Sequence, residues 1–284
     1  MHSGNRTKQT IDALPALLDR GWISVTGPGL IRCAGPFVAL CSFFDTAFVA
    51  LARRRGAQFH GYPGVVTRQL LERFEYFSSF PGVATDVGEG YVLPPAVCYQ
   101  TYEHLADREL EYHPYRVTAA GCCSRFEGSR LTGSPECLWN FTMRELVFFG
   151  SDAEVAAERK ALMRSVTGFL RQVGMTGTLT PATDPFFLGE SRGKLLLQKL
   201  KELKHELRAE IRANVDMAIA SFNHHEDFFT RRMNIRLANG IPAHSGCAAF
   251  GIERWSFSFV CQNGLDIETW PARVRRFLAR HEAG

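Results

Sequence analysis

Two β-prone runs on either side of a turn-rich loop constrain this chain more than any other feature. Tyr115 to Glu127 (YRVTAAGCCSRFE) and Trp139 to Gly150 (WNFTMRELVFFG) read as strands, and the Gly/Ser/Pro-rich stretch Gly128 to Glu136 reads as a loop between them. The pattern predicts an antiparallel hairpin with a long loop. Helical patterns surround it. Residues 11–20 read as a short helix, Gly27-Pro28-Gly29 as a turn, Phe43 to Arg55 as a helix ending at Gly56, and Ala96 to Leu110 as a helix. Asp152 to Val173 reads as a helix with Ser151 as its N-cap and Gly174 beyond its end.

A second long helix is predicted over Lys194 to Arg212. Leu196, Leu200, Leu203, Leu207 and Ile211 recur there at helical spacing, with Lys199, Lys201, Lys204, Arg208 and Arg212 on the opposite face. Strand-like pieces follow at Asp216–Phe222 and Asn234–Leu237, and Gly246–Trp255 leads to a C-terminal helix, Trp270 to His281. Locally paired strands with helices between them, and no strict βαβ alternation, predict an α+β fold: an antiparallel sheet flanked by helices. The 284 residues, 45% hydrophobic, fit one domain over 1–284 with the basic helical segment at about 188–214 as an insert.

Composition narrows the function classes. Charged residues are 22% and the net charge is +4, well below the balance of a dedicated nucleic-acid binder. No apolar run is read as long enough to cross a membrane, and Met1 to Thr10 has no apolar targeting core. The expected location is the cytoplasm, with no membrane partner. Eight scattered cysteines without a C-x-x-C pair predict neither a disulfide framework nor a zinc ribbon. Cys33, Cys41, Cys122, Cys123, Cys137 and Cys261 read as packing residues.

Three segments carry candidate chemistry. Ser124-Arg125-Phe126-Glu127 closes the first strand of the hairpin, where the planar fork of Arg125 suits a phosphate and Glu127 shares its face. Phe250-Gly251-Ile252-Glu253-Arg254-Trp255 offers a glycine that permits close approach, then a second arginine. Phe141 on the return strand is an aromatic placed to stack on a base. Two arginines and an aromatic about a hairpin suit a bent ATP on an antiparallel sheet. The chain has no G-x-x-x-x-G-K-[ST] loop and no G-x-G-x-x-G, which disfavours P-loop and Rossmann chemistry.

These residues resemble a known family. R-x-E, a long loop and F-x-x-x-E resemble motif 2 of class II aminoacyl-tRNA synthetases, and G-x-E-R resembles motif 3. Asp227 to Arg236 (DFFTRRMNIR) is similar to a stretch of seryl-tRNA synthetases. The match runs in order from about Ala50 to Trp255. Ordinary seryl enzymes carry T-A-E where this chain has Ala96-Val97-Cys98. Cys98, Glu145 and Cys247 together resemble the zinc ligands of methanogen-type seryl enzymes and of their truncated relatives, the amino acid:[carrier protein] ligases. About four dozen residues precede the motif 1-like helix, too few for a tRNA-gripping arm. The layout, with Asp184-Pro185-Phe186-Phe187 and the basic segment after it, resembles the ligases.

The resemblance implies activation of glycine or alanine with ATP and transfer to the phosphopantetheine thiol of an acidic carrier protein, without tRNA. It implies a homodimer through the motif 1 region. Arg125 would meet the α-phosphate and Arg254 the γ-phosphate. Phe141 would stack on adenine, the Leu138 backbone would read its edge, and Glu127 would contact the exocyclic amine or the ribose. Zn2+ on Cys98, Glu145 and Cys247 would keep one position open for the substrate amine. Mg2+ would bridge the phosphates. Ala218 and Ser221 stand where the seryl pattern has glutamate and serine, so Asn223 is the expected compensation, and Glu145 and Asn223 would face the amino acid. Lys199, Lys201, Lys204 and Arg208 would dock the carrier.

Two other readings stay open: an aminoacyl-tRNA ligase using an external tRNA-binding subunit, and a non-catalytic ATP- or amino-acid-binding paralogue. His224-His225-Glu226-Asp227 reads as structural or substrate-edge, because adjacent side chains on a strand point apart. His244 stays open as a further zinc ligand.

Overall fold

The computed structural model describes residues 10–182 and 202–281. A seven-stranded sheet organises them. Its strands are β1 (Gln58–Phe59), β2 (Tyr115–Ser124), β3 (Asn140–Gly150), β4 (Thr178–Ala182), β5 (Lys204–Arg212), β6 (Val215–Glu226) and β7 (His244–Gly251), lying in the order β4-β5-β6-β7-β3-β2-β1. Neighbours are antiparallel except β1, which runs parallel to β2 at one edge. The expected hairpin is β2–β3, with unbroken register from Tyr115↔Phe149 to Ser124↔Asn140. Gly27-Pro28-Gly29 does turn a second hairpin, Ile23–Gly27 with Leu30–Cys33.

Strand alternation divides the core in two. Leu146 and Phe148 of β3, Ala248 and Phe250 of β7, and Leu207, Ala209 and Ile211 of β5 point to one side. There they meet the long helices α1 (Gly35–Arg54), α3 (Asp152–Gln172) and α5 (Ile252–Asn263), and α6 (Ala272–His281) closes over α1. The other side holds Met143, Val147, Phe149, Cys247 and Ala249 with the short helices α2 (Cys98–His104) and α4 (Phe228–Arg232). The long helices thus back the sheet, and the shorter elements leave its other face partly open.

The helix ends follow the sequence where it carries cap signals. Ser151 caps α3, and Glu154 completes a capping box. α1 begins at Gly35 rather than at Phe43, because Pro36 sits in its first turn, where proline is tolerated. At 20 residues, α1 is by length and composition long and apolar enough to cross a membrane, which corrects the sequence expectation of no such run. Phe37, Leu40, Phe43, Phe44, Phe48 and Leu51 of this helix are buried in the core, and Asp45 pairs with Arg144 of β3.

The predicted basic helix is corrected as well. From Lys204 to Arg212 the chain is strand β5, and residues 183–201, with Lys199 and Lys201, lie outside the described residues. The leucine spacing that read as helical also fits a strand between 207 and 211. What decides is the strict alternation of buried Leu207, Ala209 and Ile211 with polar Glu206, Arg208, Glu210 and Arg212.

Candidate active site

A pocket of about 740 Å³ lies over the open face of the sheet, between β2, β3, β5, β6 and β7. Arg125 enters it from the end of β2. Its backbone N–H donates to Trp139 O at 2.8 Å, which extends the hairpin ladder one residue past the strand. Its Nε donates to Pro95 O at 2.8 Å, and its guanidinium lies 5.5 Å from the centroid of Phe141. Burial pulls its pKa down, but nearby Tyr76, Cys123, Tyr99 and Glu145 more than offset this, so the side chain stays charged. Arg254 enters from the first turn of α5 and donates to Ala218 O at 3.2 Å and Glu136 O at 2.7 Å. Burial, and then repulsion from Arg125, push its pKa down. Two guanidiniums that repel each other in one pocket form a site that an anion relieves.

Neighbouring residues fix these arginines. Glu253 accepts the Thr142 N–H with both carboxylate oxygens at 2.9 Å, tying the start of α5 to β3. Gly29 accepts from Trp139 N at 2.9 Å and donates to Thr132 O at 2.8 Å, so the small hairpin braces the loop after β2. Gly29 has φ +69°, and a Cβ there would lie 2.7 Å from Trp139 N, so only glycine fits. Glu127 lines the pocket, pairs with Arg130 at 3.1 Å and accepts from Cys137 Sγ at 3.6 Å. Leu138 is buried beside it.

The same pocket holds Cys98, Glu145 and Cys247, all buried. Cys98 opens α2, and its backbone N–H donates to Glu145 Oε2 at 2.5 Å, a carboxylate meeting the unpaired donors of a helix start. Both thiols hydrogen-bond to the same carboxylate. Burial raises the Glu145 pKa, and burial followed by Glu145 itself raises that of the Cys98 thiol. Asn223 Nδ2 donates to Cys247 Sγ at 3.2 Å, while Asn223 Oδ1 is buried without a partner. Gly246 lets β6 and β7 close beside Cys247, since a Cβ there would lie 2.6 Å from Asn223 O. Two sulfurs and a carboxylate buried together fit a divalent soft-to-borderline cation: it would replace the thiol protons and relieve the buried acid.

A tighter metal-like group lies elsewhere. Among the described residues, Asp152, His224 and His244 have ligand atoms all within 4.8 Å of one another. The tautomer argues against a metal there. His224 Nδ1 accepts the Glu226 N–H at 3.1 Å, so the neutral ring carries its proton on Nε2, which faces Asp152 Oδ1 at 3.1 Å. Nε2 therefore has no free lone pair, and the group anchors the start of α3 to β6 and β7. His244 sits in this group, an odd number of residues from Cys247 along β7 and so on the opposite face. His224 and His225 do point apart: His225 faces the pocket.

Of the expected site residues, Ala218, Ser221, Asn223 and Lys204 also line the pocket. Arg208 does not; it pairs with Glu206 at 2.9 Å and with Asp216 at 2.9 Å. Cys122, read as packing, is exposed. The sequence reading passed over Glu206 as a pocket residue, and it took His225 as structural or substrate-edge. Alternation along β5 and β6 was the available signal: Glu206 is two residues from Lys204, and His225 two from Asn223.

No family model matches the chain. Among curated proteins, amino acid–[acyl-carrier-protein] ligase 1 of Bradyrhizobium diazoefficiens is 30% identical, with 98% of this chain and 93% of the relative covered. Ligase 2 of the same organism is 30% identical over 82% of this chain and 78% of its own length. The type-2 serine–tRNA ligase of Methanopyrus kandleri is 26% identical over 65% of this chain and 37% of its own. Among solved structures, M. kandleri seryl-tRNA synthetase in complex with A. aeolicus tRNASec superposes with a TM-score of 0.85 at 19% identity, over 100% of this chain and 63% of that one. Seryl-tRNA synthetase from Pyrococcus horikoshii complexed with ATP gives 0.79 at 14% identity, over 95% and 63%. At these identities the structures establish the fold: a class II seryl-tRNA synthetase catalytic core.

Proposed function

The chain belongs to the amino acid–[acyl-carrier-protein] ligase family, and from that we propose that it activates glycine or alanine as the adenylate and passes the aminoacyl group to the phosphopantetheine thiol of an acidic carrier protein. The observation that carries the reading is one pocket holding two half-buried guanidiniums, Arg125 and Arg254, together with Cys98, Glu145 and Cys247. In the first half-reaction a carboxylate oxygen of the amino acid attacks the α-phosphorus of ATP. The new O–P bond forms as the bond to pyrophosphate breaks, and pyrophosphate leaves with the electron pair. Arg125 stabilises the charge that builds on the α-phosphate. Arg254 holds the far phosphates, and Phe141, backed by Arg125, stacks on the base, with the Leu138 backbone and Glu127 at its edge. In the second half-reaction the carrier thiolate attacks the acyl carbon. The C–S bond forms, the C–O bond to AMP breaks, and the thiol proton goes to solvent.

Cys98, Glu145 and Cys247 would hold zinc, which when bound supplies an open coordination position for the substrate amine. Tyr99, Met143 and Phe229 line the same pocket and favour a small side chain. Magnesium supplies charge neutralisation on the phosphates when bound. Ala218 brings no carboxylate to it; Asn223 donates to Cys247 Sγ through Nδ2 and leaves Oδ1 as the oxygen that would compensate. Glu206 faces Ser221 across the β5–β6 ladder and lines the pocket, so we assign the acidic ligand role to Glu206.

The open edge at β1, with Phe59 exposed, supports a homodimer through this region. Free cysteines throughout the described residues suit the reducing cytoplasm. Of the expected docking residues, Lys204 lines the pocket, paired with Glu206 at 3.6 Å, and a carrier arm would meet it there.

The test is amino-acid-dependent ATP–pyrophosphate exchange across the twenty amino acids, with and without a zinc chelator, followed by transfer to a phosphopantetheinylated carrier or to total tRNA. Exchange restricted to glycine or alanine, lost on chelation, with label moving to the carrier, is expected. Label moving to tRNA instead would replace this reading with that of an aminoacyl-tRNA ligase, and no exchange from folded, zinc-loaded protein would leave a binding paralogue.

A further inference from the structure

Glu136, in the loop that joins β2 to β3, makes contacts in three directions. Its backbone oxygen accepts from Arg254 Nη2 at 2.7 Å. Its carboxylate accepts both ends of the Arg212 guanidinium, Oε1 from Nη1 at 2.7 Å and Oε2 from Nη2 at 3.2 Å. Ser134 Oγ donates to Oε1 at 3.2 Å and accepts the Glu136 N–H at 3.3 Å, so the side chain and backbone of Glu136 are fixed together. Arg212 is the last residue of β5, and neither it nor Glu136 lines the pocket. The pair ties the loop to the sheet from outside the site.

Arg254 needs such a hold. Arg125 repels it inside the pocket, and a long cationic side chain left to itself would turn away. Two carbonyls keep it in place. One is Ala218 O, on the stretch of β6 beyond the last β6–β7 partners, Ala220 and Phe250; the sheet fixes that carbonyl. The other is Glu136 O, and residues 131–139 around it form neither helix nor strand. Gly29 braces the loop at Thr132 and at Trp139, and between these two points Glu136 holds the sheet through Arg212. A bidentate arginine–carboxylate pair fixes direction as well as distance. Its side chains are 40% and 29% exposed, so its contribution is a matter of severalfold rather than orders of magnitude.

We propose that Glu136 and Arg212 are positioning residues for ATP: their ion pair sets the loop so that Glu136 O aims the Arg254 guanidinium at the far phosphates. The inference rests on the phosphate role given to Arg254 above.

The experiment measures the dissociation constant of ATP with magnesium by calorimetry, without amino acid so that no turnover occurs. Arg254→Met is expected to bind ATP about tenfold or more weakly than wild type. Unchanged binding there overturns the phosphate role of Arg254 itself, and the inference with it. Given that loss, Arg212→Glu and Glu136→Arg, each of which sets like charges face to face, are expected to weaken ATP binding on the order of tenfold. The double variant Glu136→Arg/Arg212→Glu restores an opposite pair and is expected to recover most of the affinity, though not all, because Asp12 also attracts Arg212. A residue that acts through Arg254 has nothing to position once Arg254 is gone. In the Arg254→Met background, Arg212→Glu is therefore expected to change ATP affinity by less than about twofold. Thermal melts identify the folded variants. Glu136→Gln keeps the shape, removes the charge and is expected to weaken ATP about two- to fivefold, so it is the variant read if the reversals do not fold. The inference is overturned by unchanged ATP affinity in the folded reversals, or in Glu136→Gln where that is read. A swap that binds no better than the reversals, or a full effect of Arg212→Glu without Arg254, overturns it equally.

Discussion

Replacing Arg125 by methionine removes the charge at the α-phosphate while keeping much of the side-chain volume. The guanidinium is held in advance by Pro95 O and rests against Phe141, so little of its interaction is spent on ordering during the reaction. A unit charge about 4 Å from a developing phosphate charge, at an effective dielectric of ~20, is worth about 4 kcal/mol. Losing one pre-placed donor to a developing oxyanion costs about 10²–10³ in rate, roughly 2.7–4 kcal/mol. The two figures agree. The expected outcome is therefore a fall of about 10²–10³-fold in amino-acid-dependent ATP–pyrophosphate exchange at saturating ATP. Arg125→Lys keeps the charge without the planar fork and should fall between. A thermal melt controls for the lost bond to Pro95. If folded Arg125→Met exchanges pyrophosphate within about tenfold of wild type, the argument from a charged, pre-placed arginine is wrong.

Three further outcomes follow from the same geometry. Chelator treatment should lower the melting temperature of wild type but not of Cys98→Ala, because a bound cation stabilises only the folded state. Glu158 is 3% exposed and accepts from Arg55 and Arg116; burial alone would raise its pKa, but these two arginines hold it below the usual carboxylate range. Its stabilisation is thus fully present above the unfolded pKa of about 4.3 and is lost as pH falls through the lower folded value. Glu158→Gln should be clearly less stable than wild type in urea at pH 7, and the gap should narrow on acidification below about pH 4. A gap that widens in acid would reverse the assignment. Phe48 stacks on Phe250 at 4.0 Å in the helix-side core, so Phe48→Ala should cost about 3–5 kcal/mol in urea unfolding.

Local signals were legible wherever one element decides its own state. The β2–β3 hairpin follows from two β-prone runs and a turn-rich loop, and the start of α3 from a serine and glutamate in capping-box spacing. The ordered motifs around Arg125, Arg254, Cys98, Glu145 and Cys247 named one pocket before any geometry was known, since residue type and order along the chain encode them. Segment type failed at Lys204–Arg212, where spacing of four satisfies helix and strand alike. The alternation of buried Leu207, Ala209 and Ile211 with polar neighbours was the local sign of a strand, and pairing with β4 and β6 fixes it.

Tertiary structure alone decided the rest. Sheet order, which sets β5 beside β6 and β6 beside β7, brings Glu206 into the same pocket as Cys247. Arg208 pairs with Asp216 across the strand pair, a contact that only the β5–β6 register brings about. The Tyr102 hydroxyl meets His225 and Ser245, residues 123 and 143 positions away along the chain. A sequence states which groups are present, but hydrogen bonds and desolvation act over a few ångströms, and only the fold determines which groups come that close.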